Sequence, residues 1–229
     1  MDTTRKEIME QNRHDDTHRK LKRKHDAARL PMTDRKSVST RINVDPLLWG
    51  NETWQVLMTF CVFCKQKDMP ILVSALKRLH VLLPCEKCRD HYKECLEGMP
   101  PDGNRIRTLE QVEQWLWTCR SKVNKNVGRA YVPYGVAHAK IRMYTPRTEI
   151  LSVEMLRVMC DGMNVEQIPN LVAFGKDIAS LLQSLYSELD MGSSLHNALE
   201  AYESRNNGLP KLRQCLDDCI SSFRKKRGF

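Results

Sequence analysis

Between residues 44 and 146 the apolar positions recur three and four apart, the spacing of one buried helix face. Trp54, Leu57, Met58, Cys61 and Cys64 predict a first helix over about residues 46–66, opened by Asp45 and Pro46. A second starts at Pro70 and carries Ile71, Leu72, Leu76, Leu79 and His80. Pro84 ends it and opens a third over about 85–97, which Gly98 closes. The stretch 98–103 (GMPPDG) reads as a loop, and Thr108 with Gln111 as a capping box. Behind that box, Leu109, Val112, Leu116, Cys119 and Val123 form a fourth stripe that ends before Gly128. No alternating strand pattern interrupts these four.

Beyond Thr145 and Pro146 the helical spacing resumes. Leu151, Met155 and Met159 mark one helix, and Asn170 is placed to cap another that carries Leu171, Phe174, Ile178, Leu181, Leu182 and Leu185. Shorter pieces follow near 194–204 and 210–226. The pattern predicts an all-α chain: an N-terminal arm (1–43), a helical bundle (44–146) and a C-terminal helical module (147–229).

Charge changes the picture at the ends. Residues 1–43 hold twelve Lys/Arg against seven Asp/Glu, lack a sustained apolar period, and read as a flexible basic arm. With the basic cluster Arg224–Arg227, they account for much of the net charge of +9 and leave a nucleic-acid contact open. The first sixteen residues contain no apolar run, which argues against a secretory leader. The longest uncharged apolar stretch, Trp54 to Cys64, is far short of the roughly 20 residues of a membrane span.

Nine cysteines in 229 residues carry the candidate chemistry. Cys61/Cys64 and Cys85/Cys88 are two CxxC pairs with the loose spacing of a zinc ribbon. The first pair sits inside an apolar helical run, where cysteine packs as a small hydrophobe. The second follows Pro84 at a helix start, where free N–H groups and Lys87, Arg89 and His91 favour a thiolate able to cycle with a disulfide. Cys215 and Cys219 admit either an exposed shuttle pair or buried core thiols. Their place in the stripe Leu212, Leu216, Ile220 and Phe223 favours burial.

Three blocks then occur in order: Leu48 to Trp54 (LWGNETW), Leu83 to Tyr92 (LPCEKCRDHY), and Trp115 through Lys122 to Arg129 (KVNKNVGR). Together they resemble the Erv/ALR family of FAD-linked sulfhydryl oxidases, particularly members encoded by large DNA viruses. The resemblance covers about residues 46–145. It implies a four-helix bundle with a short fifth helix, bound FAD, protein thiols as substrates, O2 as acceptor with H2O2 as product, and a homodimer. It makes Cys88 the thiol beside the flavin and Cys85 the exposed interchange sulfur. It lays Gly50, Trp54, Met58, His91, Arg120, Val123, Asn124, Arg129 and Tyr144 along the cofactor.

This chain departs from the family pattern at several of these positions. Met58 and Arg120 with Ser121 stand where the family has histidine and His-Asn, Arg129 replaces a lysine, and Tyr144 is the nearest match to a late tryptophan. The positions of the family's second structural disulfide fall near Trp117 and Tyr134, and Cys119 reads as a core thiol. The expected activity is a FAD-dependent thiol oxidase in the host cytoplasm, a virion or the nucleus. The alternative is a zinc-stabilised, basic nucleic-acid-binding protein.

Overall fold

The computed structural model describes residues 44–46, 49–101, 106–126, 128–143, 147–205 and 208–228. The basic arm 1–43, Leu48 and Tyr144 lie outside them. The described elements are helical, with no strand among the described residues. They are α1 (Gly50–Phe63), α2 (Met69–Leu82), α3 (Glu86–Gly98), α4 (Leu109–Asn126) and α5 (Tyr134–Met143), then α6 (Thr148–Asp161), α7 (Ile168–Leu185), α8 (Met191–Ser204) and α9 (Leu209–Lys226). The chain is all-α, as its periodicity predicts.

The boundaries follow local chemistry. α1 begins at Gly50 rather than Pro46 because Trp49 departs from helical geometry (φ −137°, ψ −24°). Its indole N–H reaches back to the Val44 carbonyl at 3.3 Å. At the other end Cys64 is extended (φ −68°, ψ 158°), so it lies just past the helix rather than within it. α2 carries Pro70 in its first turn, and α3 starts where predicted, with Cys85 as its N-cap.

The capping box of α4 forms: Thr108 Oγ1 accepts from the Gln111 N–H at 3.2 Å, and Gln111 Oε1 from the Thr108 N–H at 3.1 Å. Gln66, in the turn between α1 and α2, holds the same helix start through the Arg107 carbonyl (2.9 Å) and the Leu109 N–H (3.2 Å). Asn170 is not the cap of α7. That helix starts two residues earlier, at Ile168, because Pro169 occupies its first turn and Gln167 Oε1 accepts from the Asn164 N–H just ahead of it.

Tyr92 is central to the bundle. It is fully buried, donates to the Leu76 carbonyl at 3.0 Å, and packs edge-on against Trp115 at 6.1 Å. α5 is held to α4 by the indole of Trp117, whose ring meets Tyr134 at 5.9 Å and whose N–H donates to the Val132 carbonyl at 2.9 Å. Nearby, buried Glu113 accepts from the Tyr134 hydroxyl at 3.0 Å and lies 2.9 Å from His138 Nδ1.

The later helices share the same hydrophobic cluster. α7 packs along α2, where Ser74 donates to Asp177 at 3.0 Å, Ser184 to Asp68 at 2.6 Å, and Gln167 to the Val81 carbonyl at 3.3 Å. α8 lies so close to α7 that a Cβ on Gly192 would stand 2.5 Å from the Ala179 carbonyl oxygen, so only glycine fits there. α9 closes on α6 and α8. Its last turn brings Arg227 Nε to 2.7 Å from Glu149, a carboxylate with no exposure at all, and lays the guanidinium over Tyr186.

Candidate active site

A cavity of about 230 Å3 opens between the starts of α1 and α3 and the end of α4. α1 gives it Gly50, Thr53 and Trp54, with Trp49 just ahead, while Leu79 and Leu83 form an apolar side. Cys88 and Tyr92, one turn apart on α3, face into it together. The segment before α1 is hooked over α3's start, since the Val44 N–H donates to the Pro84 carbonyl at 2.8 Å. Trp54 and Tyr92 lie with ring centres 6.3 Å apart, so two aromatic faces meet at the wall.

The polar side comes from a helix end. α4 finishes in a turn where the Arg129 N–H donates to the Asn124 carbonyl at 2.8 Å and the Gly128 N–H to the Lys125 carbonyl at 3.2 Å. These two bonds are those of a Schellman motif, which needs a left-handed residue. Gly128 supplies it at φ +70°. The motif brings Arg129 back beside Val123 and Asn124 on the wall. A guanidinium and an amide, with the Asp45 carboxylate and the Thr53 hydroxyl, therefore border a cavity walled for the rest mainly by rings and aliphatic chains.

Cys85 and Cys88 meet at the α3 N-terminus. The Cys88 N–H donates to Cys85 Sγ at 3.3 Å, so a sulfur serves as the N-cap acceptor. Arg89 secures the turn by donating to the Leu83 carbonyl at 2.8 Å. Burial pushes the Cys88 thiol up, and contact with Cys85 pushes it further. The charges of Arg89 and Arg129 pull the other way without cancelling the rise. Reduced Cys88 is consequently a neutral thiol at neutral pH, in sulfur contact with a neighbour that is not itself on the wall. Such a pair can exchange two electrons as dithiol and disulfide.

Of the residues assigned by the family resemblance, Gly50, Trp54, Cys88, Val123, Asn124 and Arg129 line this one cavity. Met58 and Arg120 lie one turn away, in the contact between α1 and α4. There Arg120 donates to Met58 Sδ at 3.8 Å and to Asn51 Oδ1 at 3.0 Å. His91 is half-buried on α3 and is not on the wall. The sequence reading gave no role to Trp49, Thr53, Leu79, Leu83 or Tyr92. Tyr92 was findable, since it stands four residues after Cys88.

The remaining cysteines are elsewhere. Cys61 is buried beside Glu113, and burial with nearby Asp68 pushes Cys64 up to about 12. The two CxxC pairs do not converge: among the described residues no group of three or more His, Cys, Asp or Glu is placed to hold a metal ion. Zinc-ribbon geometry is thereby lost as a reading. Cys219 is buried as expected, but Cys215 is only half-buried. It borders a groove of about 400 Å3 between α8 and α9, because it sits at the edge of the α9 stripe rather than at its centre.

Six thiols are held above the ordinary value. Burial is the main cause for Cys61, Cys64, Cys88 and Cys160, and a hydrogen bond to a neighbouring cysteine for Cys119 and Cys219. Above the usual thiol pKa of about 8.5, the unfolded chain sheds these protons while the folded chain keeps them, so stability falls as pH rises. Cys95 and Cys215, which are lowered, offset part of the loss. Under reducing conditions the unfolding free energy should drop between about pH 8.5 and 10.5, by at most about 1.4 kcal/mol per pH unit for each such thiol and less for the half-buried ones, and the melting temperature should fall with it. A flat melting profile over that range would show that these thiols are not buried as described.

Residues 51–142 match the model of the Erv1 / Alr family. Among curated proteins it is similar to the FAD-linked sulfhydryl oxidase ERV1 of Arabidopsis thaliana, 30% identical over 91 residues, covering 37% of this chain and 44% of that protein. It is also similar to the FAD-linked sulfhydryl oxidase ERV1 of Oryza sativa subsp. japonica, 26% identical over 91 residues with the same coverage. The chain spans less than half the length of these relatives. No solved structure matches it.

Proposed function

We propose that the chain is a FAD-dependent thiol oxidase that forms disulfide bonds in substrate proteins and passes the electrons to O2, giving H2O2. The observation that carries this reading is the position of Cys88, on the wall of an aromatic cavity and in contact with Cys85 outside it. The names of the relatives and the matched domain support the same chemistry.

The donor set fits FAD. Trp54, Tyr92 and the aliphatic side chains suit a flat, largely apolar ring, and Arg129 with Asn124 suits the polar and anionic remainder. When bound, FAD supplies the two-electron chemistry that connects a dithiol to O2. The chain's own part is thiol exchange. A substrate thiolate attacks Cys85 of the Cys85–Cys88 disulfide, Cys88 leaves, and its raised pKa lets it take up a proton. A second substrate thiol then displaces Cys85, releasing the oxidised substrate. Trp49 and Trp54 with Tyr92 keep water from the inner face of Cys88.

The same reading extends to a divergent member of the kind encoded by large DNA viruses. It also carries a homodimer and a nucleic-acid contact by the basic arm. The departures at Met58 and Arg120 support the first, the charge of residues 1–43 supports the nucleic-acid contact, and the homodimer rests on the family resemblance. Among the described residues no helix is long and apolar enough to cross a membrane.

Purified chain should be yellow, release FAD on denaturation, and consume O2 with dithiothreitol. Arg129→Ala should weaken FAD binding by roughly 10- to 100-fold, the loss of a charge-assisted hydrogen bond. A chain that never takes up FAD, even when refolded with excess, would overturn the reading.

A further inference from the structure

Three pairs of cysteines are close enough to shift one another's thiols: Cys85 with Cys88, Cys215 with Cys219, and Cys95 with Cys119. The first lies at the cavity, and the second is confined to one helix. The third joins two helices, Cys95 from α3 and Cys119 from α4, and has no place in the chemistry above. We propose that Cys95 and Cys119 close a disulfide that fastens α3 to α4 behind the cavity.

The setting suits a bond. Both residues are buried, Cys95 at 2% and Cys119 at 0% exposure, and their sulfurs share a hydrogen bond across the helix contact. Along the two helices the pair is bracketed by cross-contacts: the Trp115 indole donates to the Met99 carbonyl on one side, and Cys88 and Val123 line one cavity on the other, so Cys95 and Cys119 lie level with each other, as a disulfide requires. The pair Cys215 and Cys219 differs, because residues four apart on one helix point their Cβ atoms along the same face and resist a relaxed bridge. Tyr92 stands beside both sulfurs, with its hydroxyl already committed to the Leu76 carbonyl. Lys122 is the cation near both. The Cys119 hydrogen bond is the main reason the Cys95 thiol is held down, to about 7.

The step balances with a small-molecule disulfide as oxidant. The thiolate of either cysteine attacks one sulfur of the oxidant, that S–S bond breaks, and one small thiolate leaves. The other protein sulfur then displaces the second small thiol and gives up its proton to it. Two protein thiols are oxidised and one disulfide is reduced to two small thiols. Since both cysteines are buried, the exchange proceeds when α3 and α4 part or before they dock. Neither FAD nor turnover enters, so the outcome is separate from that of the proposed oxidase activity.

The full chain, reduced, unfolded and then refolded with oxidised glutathione, should be alkylated in denaturant, digested and read by mass. The expected result is a linked peptide joining Cys95 to Cys119. The refolded chain should also melt roughly 5–10 °C above the reduced one, as a loop of this length implies. In Cys119→Ala most of that gain should vanish; should this variant not fold, the linked peptide in the natural chain decides alone. Alkylation of both cysteines in most refolded chains would overturn the proposal in favour of two core thiols. So would Cys95 linked to Cys61, which also borders Tyr92.

Discussion

Replacing Cys88 with serine should cut oxidation of dithiothreitol by roughly 1,000-fold or more, the scale of losing the reacting group itself. Cys88 is the sulfur on the cavity wall, and no other cysteine lines that cavity. Cys85→Ser should also stop turnover of protein dithiols, but for a different reason: under the proposed function it removes the sulfur that meets substrate. It leaves Cys88 on the cavity wall, where the proposed function would place the flavin, without the neighbour whose hydrogen bond and charge help raise its pKa. Burial then opposes Arg89 and Arg129 alone. A long-wavelength absorption from thiolate against flavin should therefore appear in Cys85→Ser and grow as pH rises. The same band in Cys88→Ser, and not in Cys85→Ser, would exchange the two roles.

Arg227→Ala should destabilise the chain by about 3 kcal/mol, because breaking a buried ion pair from one side strands the remaining charge. Glu149 has no exposure, and Arg227 Nε is its partner at 2.7 Å. The guanidinium also leaves the face of Tyr186. For a domain of this size the melting temperature should fall by roughly 6–12 °C. The double variant Arg227→Ala with Glu149→Leu should recover much of the loss, since an apolar residue in that place leaves no charge behind. A single variant that melts with the natural chain would show that the carboxylate finds water instead.

The sequence made most of the helices legible, because apolar stripes report buried faces directly. The capping box at Thr108 and the N-cap position of Cys85 were equally readable, being set by residues three apart. The helix starts at Gly50 and Ile168 were not. The first depends on an indole reaching back to Val44, and the second on a short turn, closed by Gln167 on Asn164, that sits ahead of the apolar stripe and moves the start forward of it. At the site, Trp54, Cys88 and Asn124 carry motif signals, and the structure brings them to one cavity. Leu79 and Leu83 carry none, because a leucine facing a cavity reads the same as one facing a core. Cys95 was silent for a related reason: its segment is polar on most sides, and only tertiary packing on α4 gives it a partner.

Where the family resemblance would put a second structural disulfide, this chain sets Trp117 against Tyr134. An aromatic contact has no reduction potential. The docking of α5 on α4 is therefore indifferent to the thiol poise of the surroundings, and a strongly reducing medium that opens bridges elsewhere leaves this junction shut. At this junction the chain separates two tasks that a covalent tie would merge: the docking of α5 holds by shape, and sensitivity to electrons stays at the sulfurs.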